Sequence, residues 1–187
     1  MFNKYDRVMM DTAVIWSDMS VCVRGKVGVV IARDNRIISV GYNGTITGTK
    51  NECEDKIVSC VNCNIDIKVS DFIEEVHKPN KLSIKCNCGI THHYDRDVLE
   101  ENSYSKTNDL TLHAEQNALM FAAKNGISLF GATIYVTKSP CKDCSKLIAQ
   151  SGIAKVIYRE EHHDMEGLAL LQHIGIDIKK LKEEKVD

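Results

Sequence analysis

Helical and strand-like patterns alternate along the chain from residue 113 to residue 181, and this alternation limits the folds open to it. The segments in order are a helix over 113–125 closed by Gly126, the strand ATIYVTKSP, the helix CKDCSKLIAQSG closed by Gly152, the strand AKVIYRE, a helix over 164–174 and the short strand IDIKKL. Because a helix joins each of these strands to the next, we expect parallel strand pairs connected by right-handed crossovers.

The N-terminal part of the chain adds one helix and one hairpin. Residues 4–20 place apolar side chains at helical intervals, which predicts an amphipathic helix. The segment VGVVIARDNRIISVGYN contains two β-rich runs around Asp34 and Asn35, and this pair favours a hairpin turn. Together with the later segments, these patterns predict an α/β protein: a three-layer α/β/α sandwich around a mixed five-stranded sheet.

Residues 45–110 do not continue this alternation of helical and strand-like patterns. The segment has weak periodicity, five cysteines of which four form two clusters, and twelve acidic against eight basic side chains. A structureless segment of this length is uncommon inside a compact domain, so we expect a metal ion to order it. We therefore predict a single domain over residues 1–187 with a zinc-binding insertion at 45–110.

Composition and charge exclude several classes of protein. The net charge of −2 and the pI near 6.4 provide no global attraction to nucleic acid or to an anionic membrane. No apolar run approaches the roughly 20 residues of a membrane span, and no targeting signal is evident, so we expect a cytoplasmic protein. Six of the eight cysteines form closely spaced pairs, while Cys22 and Cys53 stand alone. Closely spaced thiols in a reducing compartment are more often metal ligands than a disulfide framework.

Two short motifs carry the chemistry that this sequence predicts. Cys141 and Cys144 lie one helical turn apart at a helix start, directly after Pro140. The positive end of a helix lowers the pKa of thiols, and the thiolate is the form that binds metals. His113 and Glu115 lie at another helix start. One histidine and two cysteines leave a fourth tetrahedral position for water, which is the pattern of a catalytic zinc site.

Taken together, these motifs resemble a known family. His-Ala-Glu followed by Pro-Cys-x-x-Cys resembles the signature of the zinc-dependent nucleobase deaminases. The segments KVGVVIARDNRIISVGYNGT, HAEQNAL, GATIYVTKSPCKDCSKLIAQSGI and KVIYRE resemble the deoxycytidylate deaminases in particular, over roughly residues 5–50 and 110–180. The resemblance implies a cytidine-deaminase-like sandwich that hydrolyses dCMP to dUMP and ammonia, with Glu115 as the acid/base, and so supplies thymidylate synthesis.

The same resemblance implies the residues that bind the substrate. Asn43, in the Gly-Tyr-Asn-Gly motif, is expected to hydrogen-bond the deoxyribose. Ala114 is expected to offer a backbone N–H to the pyrimidine oxygen, and Tyr158 to line the nucleotide site at the end of its strand. Arg24 and Lys26 precede the first strand and are candidates for binding the phosphate, although basic residues in such a position are more often solvated.

The resemblance also implies an assembly and a mode of regulation. Members of this family are commonly hexamers, activated by dCTP and inhibited by dTTP with Mg²⁺. Their regulation usually involves the loop after the second strand, which here reads GTITGTK. Ile46 stands in this loop where many relatives have proline.

The insertion supplies a second candidate metal site. Cys60, Cys63, Cys86 and Cys88 form the patterns CVNC and CNCG, and four sulfurs would close a structural zinc site like that of a zinc ribbon. In a competing arrangement, the ligands of a second zinc ion are Cys22 or Cys53 together with His92 or His93. The remaining histidines, His77, His162, His163 and His173, are expected to be ordinary surface residues.

Two other functions remain open from the sequence. The enzyme could act on a modified or different cytosine nucleotide, or the chain could be a zinc-ribbon interaction module attached to a catalytically idle core. Nucleic acid is not an expected partner, because the insertion is acidic and does not interleave basic with aromatic residues.

Overall fold

The computed structural model describes residues 4–74 and 80–181, and the chain divides into two compact units. The core unit comprises Met1–Asn51 with Leu110–Asp187, and the insertion unit is Glu52–Asp109. The sequence placed the insertion at 45–110, so the insertion unit begins seven residues later than expected. The single domain over residues 1–187 stays a prediction.

The described residues form both helices and strands. The α-helices are α1 (Lys4–Ser17), α2 (Arg96–Glu101), α3 (Ala114–Lys124), α4 (Lys142–Gln150) and α5 (Glu166–His173). The strands are β1 (Gly28–Arg33), β2 (Arg36–Tyr42), β3 (Gly44–Thr45), β4 (Glu54–Ser59), β5 (Asp66–Lys68), β6 (Ile73–Glu74), β7 (Lys81–Lys85), β8 (Thr91–Asp95), β9 (Tyr104–Thr107), β10 (Thr111–Leu112), β11 (Thr133–Lys138), β12 (Lys155–Glu160) and β13 (Asp177–Lys180).

The core unit is built on a mixed five-stranded sheet, as the sequence predicted. Its strand order is β13-β12-β11-β1-β2. The β11–β12 and β12–β13 pairs are parallel, whereas β1 pairs antiparallel with both β2 and β11. The parallel half therefore consists of the strands that helices connect, and the antiparallel half contains the hairpin.

Helices cover both faces of this sheet. On one face, Met9, Met10 and Ala13 of α1 pack against buried side chains of β1, β11 and β12. On the other face, α3, α4 and α5 contribute apolar side chains such as Leu119, Ile148 and Leu171 to the larger core cluster. The three-layer α/β/α arrangement is thus confirmed, with α1 as the helix described on the first face.

Positive backbone dihedrals occur at the turns that the sequence indicated. Asp34 and Asn35 have φ values of 52° and 60°, the combination that a two-residue hairpin loop between twisted strands requires. Gly126 and Gly152 follow the ends of α3 and α4 with φ values of 65° and 80°, as expected of glycines that terminate helices.

The insertion unit has its own small core. One three-stranded sheet has the order β5-β4-β9, and a second has the order β6-β7-β8. Apolar side chains and two cysteines pack together inside the unit; they are Val58, Cys60, Ile67, Phe72, Leu82, Cys86 and Leu99. None of the helices within residues 4–74 and 80–181 has the length and apolar character that a membrane span requires.

Candidate metal centre and active site

Two helix starts in the core unit bring one imidazole and two thiols together. His113 is the N-cap of α3, and Cys141 is the N-cap of α4. His113 Nδ1 lies 3.5 Å from Cys141 Sγ and 3.4 Å from Cys144 Sγ. Ligands at usual zinc bond lengths, arranged as a tetrahedron, would be about 3.6 Å apart. The three side chains predicted as ligands therefore have the spacing that a shared ion needs.

Local hydrogen bonds and strand pairing hold the first of these helix starts. The backbone N–H of His113 donates to Gln116 Oε1 at 2.8 Å, which satisfies a group outside the helical hydrogen-bond pattern. Strand β10, directly before His113, pairs antiparallel with β3, so Leu112 lies opposite Gly44. The segment after β2 thus fixes the direction from which the chain enters α3.

The thiol groups have strongly perturbed acidities. A hydrogen bond with Cys144, followed by one with His113, lowers the pKa of Cys141 to about 3. The same hydrogen bond with Cys141, together with burial, raises the pKa of Cys144. The hydrogen bond with Cys141 also raises the pKa of His113. The lowered pKa of Cys141 favours its thiolate, which is the metal-binding form of cysteine.

Glu115 lies in the first turn of α3 and is only 4% exposed. Burial raises the pKa of its carboxyl to about 6, while the nearby His113 opposes this shift. A buried carboxyl beside metal-binding groups is a common feature of sites that transfer protons. Its predicted role as acid/base stays a prediction.

The residues present at this site fit a zinc ion. The group of possible donor atoms contains His113, Cys141 and Cys144 and no fourth protein ligand among the residues that the structure describes. Nitrogen and sulfur donors suit zinc, and three protein ligands leave one position open for water or substrate. This is the donor set of a catalytic rather than a structural zinc site.

The side chain of Asn43 contacts the backbone of a neighbouring loop. Its Nδ2 donates to the Gly25 carbonyl at 2.8 Å, and its Oδ1 accepts the Val27 N–H at 2.8 Å. Asn43 thus holds the loop between α1 and β1, in which Arg24 and Lys26 are both exposed. Its predicted contact with a deoxyribose stays a prediction, as do the phosphate contacts of Arg24 and Lys26.

The other two predicted substrate residues are buried. Ala114 is 0% exposed at the start of α3, where β2 passes very close. A Cβ atom on Gly41 would lie 2.4 Å from the Ala114 carbonyl oxygen, so only glycine allows this approach. Tyr158 is 7% exposed and belongs to the core cluster under α3, α4 and α5. The structure therefore packs the Tyr158 side chain in the core, and its contact with a nucleotide stays a prediction.

A pocket of about 520 Å³ lies beside the loop after β2. The aromatic side chains Trp16, Tyr42 and Phe121 contribute to its walls, and the Trp16 and Tyr42 rings stack with centroids 6.1 Å apart. Hydroxyl and amide groups of the loop threonines, Asn51 and Asn117 supply its polar lining, with no charged side chain among the described residues around it.

The four cysteines of the insertion unit also form one group. The Sγ atoms of Cys60 and Cys88 are 3.7 Å apart, and those of Cys63 and Cys86 are 3.6 Å apart. Four sulfurs around zinc at the usual bond length would be separated by about 3.8 Å. The backbone N–H of Ile90, followed by the Asn62 side chain, lowers the pKa of Cys88 to about 6. The sulfur–sulfur distances are therefore those expected of a closed four-sulfur site.

The structure does not bring together the competing ligands, Cys22 or Cys53 with His92 or His93, among the described residues. Neither Cys22 nor Cys53 belongs to a group of possible metal donors there. His92 is buried, with its Nε2 atom 3.2 Å from Cys60 Sγ, whereas His93 is exposed. His92 thus lies next to the four-cysteine group without belonging to it.

Sequence reasoning missed one neighbour of the candidate active site. His162 was expected to be an ordinary surface residue, but it is half-buried and its backbone N–H donates to Ser139 Oγ at 2.8 Å. Ser139 directly precedes Pro140 and Cys141. The position of His162 shortly after a buried strand was the available signal. His163 and His173 are exposed, and His77 lies outside the described residues.

Comparisons with known proteins find similar sequences over most of this chain. Residues 3–160 match a family model described as the cytidine and deoxycytidylate deaminase zinc-binding region. The deoxycytidylate deaminase of Enterobacteria phage T4 is 42% identical over 158 residues, covering 82% of this chain and 77% of the phage protein. That of phage T2 is 40% identical over 158 residues, covering 82% of this chain and 79% of its own.

A solved structure shows the same similarity over nearly the whole chain. It is the dCMP deaminase of cyanophage S-TIM5 in complex with dCMP and dUMP, which is 31% identical with a TM-score of 0.67. The match covers 97% of this chain and 99% of the cyanophage chain. The likeness therefore includes the fold as well as the motifs.

Proposed function

Because this chain belongs to the family of zinc-binding cytidine and deoxycytidylate deaminases, we propose that it hydrolyses dCMP to dUMP and ammonia. The observation that carries this proposal is the meeting of His113, Cys141 and Cys144 beside the buried carboxyl of Glu115. The relatives' names supply the nucleotide, since they are deoxycytidylate deaminases.

We propose that His113 Nδ1 and the sulfurs of Cys141 and Cys144 hold the zinc ion. A zinc ion bound there supplies a Lewis acid that makes hydroxide available near neutral pH. The chain's own contribution is to fix the three donor atoms on two helix starts, to bury Cys144 completely, and to leave His113 exposed.

Glu115 moves the protons in the proposed reaction. Its carboxylate accepts a proton from the attacking water and delivers it to ring atom N3 as oxygen bonds to C4. It then transfers the remaining hydroxyl proton to the amino group, so that ammonia leaves as the C–N bond breaks and uracil remains. Proton transfer by a positioned side chain of this kind accelerates reactions by about 10²–10⁴-fold.

The substrate contacts in this proposal follow the resemblance. Asn43 would bind the deoxyribose, the Ala114 N–H the pyrimidine oxygen, and Tyr158 would line the site, with Arg24 and Lys26 near the phosphate. Both cations are exposed in the loop before β1 and are therefore accessible to a phosphate group. Asn43 connects this loop to the end of β2 through its two hydrogen bonds.

A second zinc ion is proposed in the insertion unit, held by Cys60, Cys63, Cys86 and Cys88. The sulfur–sulfur distances of 3.6 and 3.7 Å support it. With four protein ligands this ion would have no position for substrate, so its role would be structural. The proposal gives two zinc ions per chain.

Further parts of the proposal concern regulation and assembly. We propose activation by dCTP and inhibition by dTTP with Mg²⁺, in a hexamer that supplies dUMP for thymidylate synthesis in the cytoplasm. The pocket beside the loop after β2 is the candidate effector site, because its aromatic and hydroxyl groups suit a base and a sugar. Its neutral lining means that cations beyond these walls would have to bind the phosphates.

The test combines a metal count, a release assay and thermal shifts. We expect two zinc ions per chain, ammonia release from dCMP, and a higher melting temperature with dCMP, dCTP or dTTP than with CMP. Failure of the fully zinc-loaded protein to release ammonia from dCMP would overturn the activity. Zinc binding without stabilisation by any deoxynucleotide would instead favour an interaction module on an idle core.

A further inference from the structure

The segment from His162 to Gly167 contacts the turn that carries the proposed zinc ligand Cys141. The His162 N–H donates to Ser139 Oγ at 2.8 Å. At the other end of the segment, Lys142 Nζ lies 2.7 Å from Glu166 Oε2. These two contacts lie on either side of Pro140 and Cys141, so the segment spans the whole turn.

Between these contacts the two backbones come unusually close at Gly167. A Cβ atom on Gly167 would lie 2.2 Å from the Pro140 carbonyl oxygen and 2.8 Å from the Cys141 carbonyl carbon. It would also lie 2.7 Å from Ser145 Oγ, a fully buried hydroxyl without a hydrogen-bond partner in the part of the chain that the structure describes. No side chain larger than hydrogen fits there unless the turn or α5 moves.

The requirement for glycine at this position is steric. The φ angle of Gly167 is not among the positive values that favour glycine, and the residue is buried in the first turn of α5. The nearest obstacle is the Pro140 carbonyl oxygen, a backbone atom that cannot rotate away as a flexible side chain can. An added methyl group must therefore displace the Pro140–Cys141 turn relative to α5, since packed interiors have little free volume.

A displaced turn would move two of the three proposed zinc ligands. Cys141 is the N-cap of α4, and Cys144 lies one helical turn further on. Their sulfurs lie 3.5 and 3.4 Å from His113 Nδ1, which belongs to the separate helix α3. A shift of the turn relative to α3 changes these distances directly.

We propose that Gly167 is a positioning residue for the zinc site. It lets the first turn of α5 lie directly on the Pro140–Cys141 turn and so holds Cys141 and Cys144 at the correct distance from His113. The inference rests on the proposed zinc-binding role of these three residues, and it concerns how the chain holds them.

The test compares Gly167→Ala with Gly28→Ala. A Cβ atom on Gly28 would lie 1.9 Å from the Ala13 carbonyl oxygen and 2.6 Å from the Ser17 nitrogen. The control therefore causes a similar clash between backbones in the same core unit, but against α1, which carries no proposed ligand. Both variants are expected to lower the melting temperature.

The deciding measurement is alkylation of the cysteines during timed exposure of the zinc-loaded protein to a chelator. Peptide mass spectrometry reports Cys141 and Cys144 separately from Cys60 and Cys63. In Gly167→Ala we expect at least a tenfold faster alkylation of the first pair and an unchanged rate for the second. In Gly28→Ala we expect both rates to equal those of the wild type.

Several outcomes would decide against the proposal. Wild-type alkylation of Cys141 and Cys144 in Gly167→Ala would overturn it, as would equal acceleration in the Gly28→Ala control. If Cys141 and Cys144 of the wild type were alkylated equally fast with and without zinc, their proposed role as ligands would fail instead. The alkylation rates alone would reveal this failure, without an assay of enzyme activity.

A milder pair of variants decides the matter if Gly167→Ala does not fold. Ser139→Ala removes the acceptor of the His162 N–H without adding bulk, and Ser17→Ala removes a similarly buried hydroxyl on α1. We expect Ser139→Ala to accelerate alkylation of Cys141 and Cys144 about threefold, and Ser17→Ala to leave it unchanged. Equal rates in both variants would reject the proposal that the segment from His162 to Gly167 positions this turn.

Discussion

The two candidate metal-binding clusters among the described residues place similar side chains on different kinds of backbone. In the core unit, the donors stand at the starts of α3 and α4, and a buried carboxyl lies two residues from the histidine. In the insertion unit, four cysteines lie in two short turns between strands. The first cluster has three donors and the second has four.

This difference indicates what each cluster can do. Three donors and a neighbouring carboxyl leave a position at which chemistry can occur, whereas four sulfurs complete the shell of a zinc ion. The helix starts of the core cluster belong to a large packed unit, so they keep their places without a metal. The insertion unit has only a small apolar core, so its metal is expected to stabilise the fold itself.

The largest expected effect comes from removing two of the proposed zinc ligands of the insertion unit. We expect Cys86→Ser combined with Cys88→Ser to lose one zinc ion and to unfold residues 52–109 locally, because structural zinc sites bind with apparent free energies of about 10–16 kcal/mol. Native mass spectrometry gives the metal count, and hydrogen exchange reports on the backbone amides of the unit. Retained amide protection with one zinc ion fewer would show that the unit folds without metal.

The core cluster should respond differently to the loss of its carboxyl. We expect Glu115→Gln to lower kcat for dCMP by about 10²–10⁴-fold and to leave both zinc ions in place. The measurements are steady-state formation of dUMP and a metal count. Asp143→Asn is the matched control, since Asp143 is an exposed acid in the first turn of α4 paired with Lys146 at 2.8 Å. Turnover by Glu115→Gln within tenfold of the wild type would reject the acid/base role.

Glycines offer a finer comparison, because the two clusters use them for different reasons. In the core unit, Gly41→Ala would place Cβ 2.4 Å from the Ala114 carbonyl oxygen and 2.7 Å from the Ala118 nitrogen. We expect overpacking to lower the free energy of unfolding by about 1–3 kcal/mol and to reduce kcat, since α3 carries His113 and Glu115. Urea unfolding and dUMP formation measure the two effects. Gly25→Ala, with open space around it, should change neither.

The smallest expected effect concerns the glycine beside the insertion cysteines. Gly89 has open space around it but a φ of +94°. We expect Gly89→Ala to destabilise this turn by about 1–2 kcal/mol, the cost of a positive φ for a residue with a Cβ atom. Hydrogen exchange should show the change in residues 81–95, while kcat stays at the wild-type value. If Gly89→Ala lowered kcat as much as Gly41→Ala does, the assignment of the chemistry to the core cluster alone would be wrong.

The sequence predicted the core unit better than the insertion. Regular patterns over 113–181 indicated α3, β11, α4, β12, α5 and β13 correctly, because segments with a buried face must repeat apolar residues at a fixed period. Most strands of the insertion unit have only two to five residues, too few to establish a period. Several of its buried positions are cysteines. Their positions in the sequence are set by the grouping of the sulfur atoms and do not repeat with the period of a strand.

Residue identity alone determined which side chains are candidates for the chemistry. A histidine, a glutamate and paired cysteines carry their donor atoms with them, and helix starts can be recognised locally. Only the tertiary structure decided which of them meet, since a distance between His113 and Cys141 depends on how separate segments pack. The same holds for the contact of Gly167 with Pro140, for the hydrogen bond of His162 to Ser139 and for the burial of Tyr158. Each is set by a close approach between parts of the chain that no local pattern encodes.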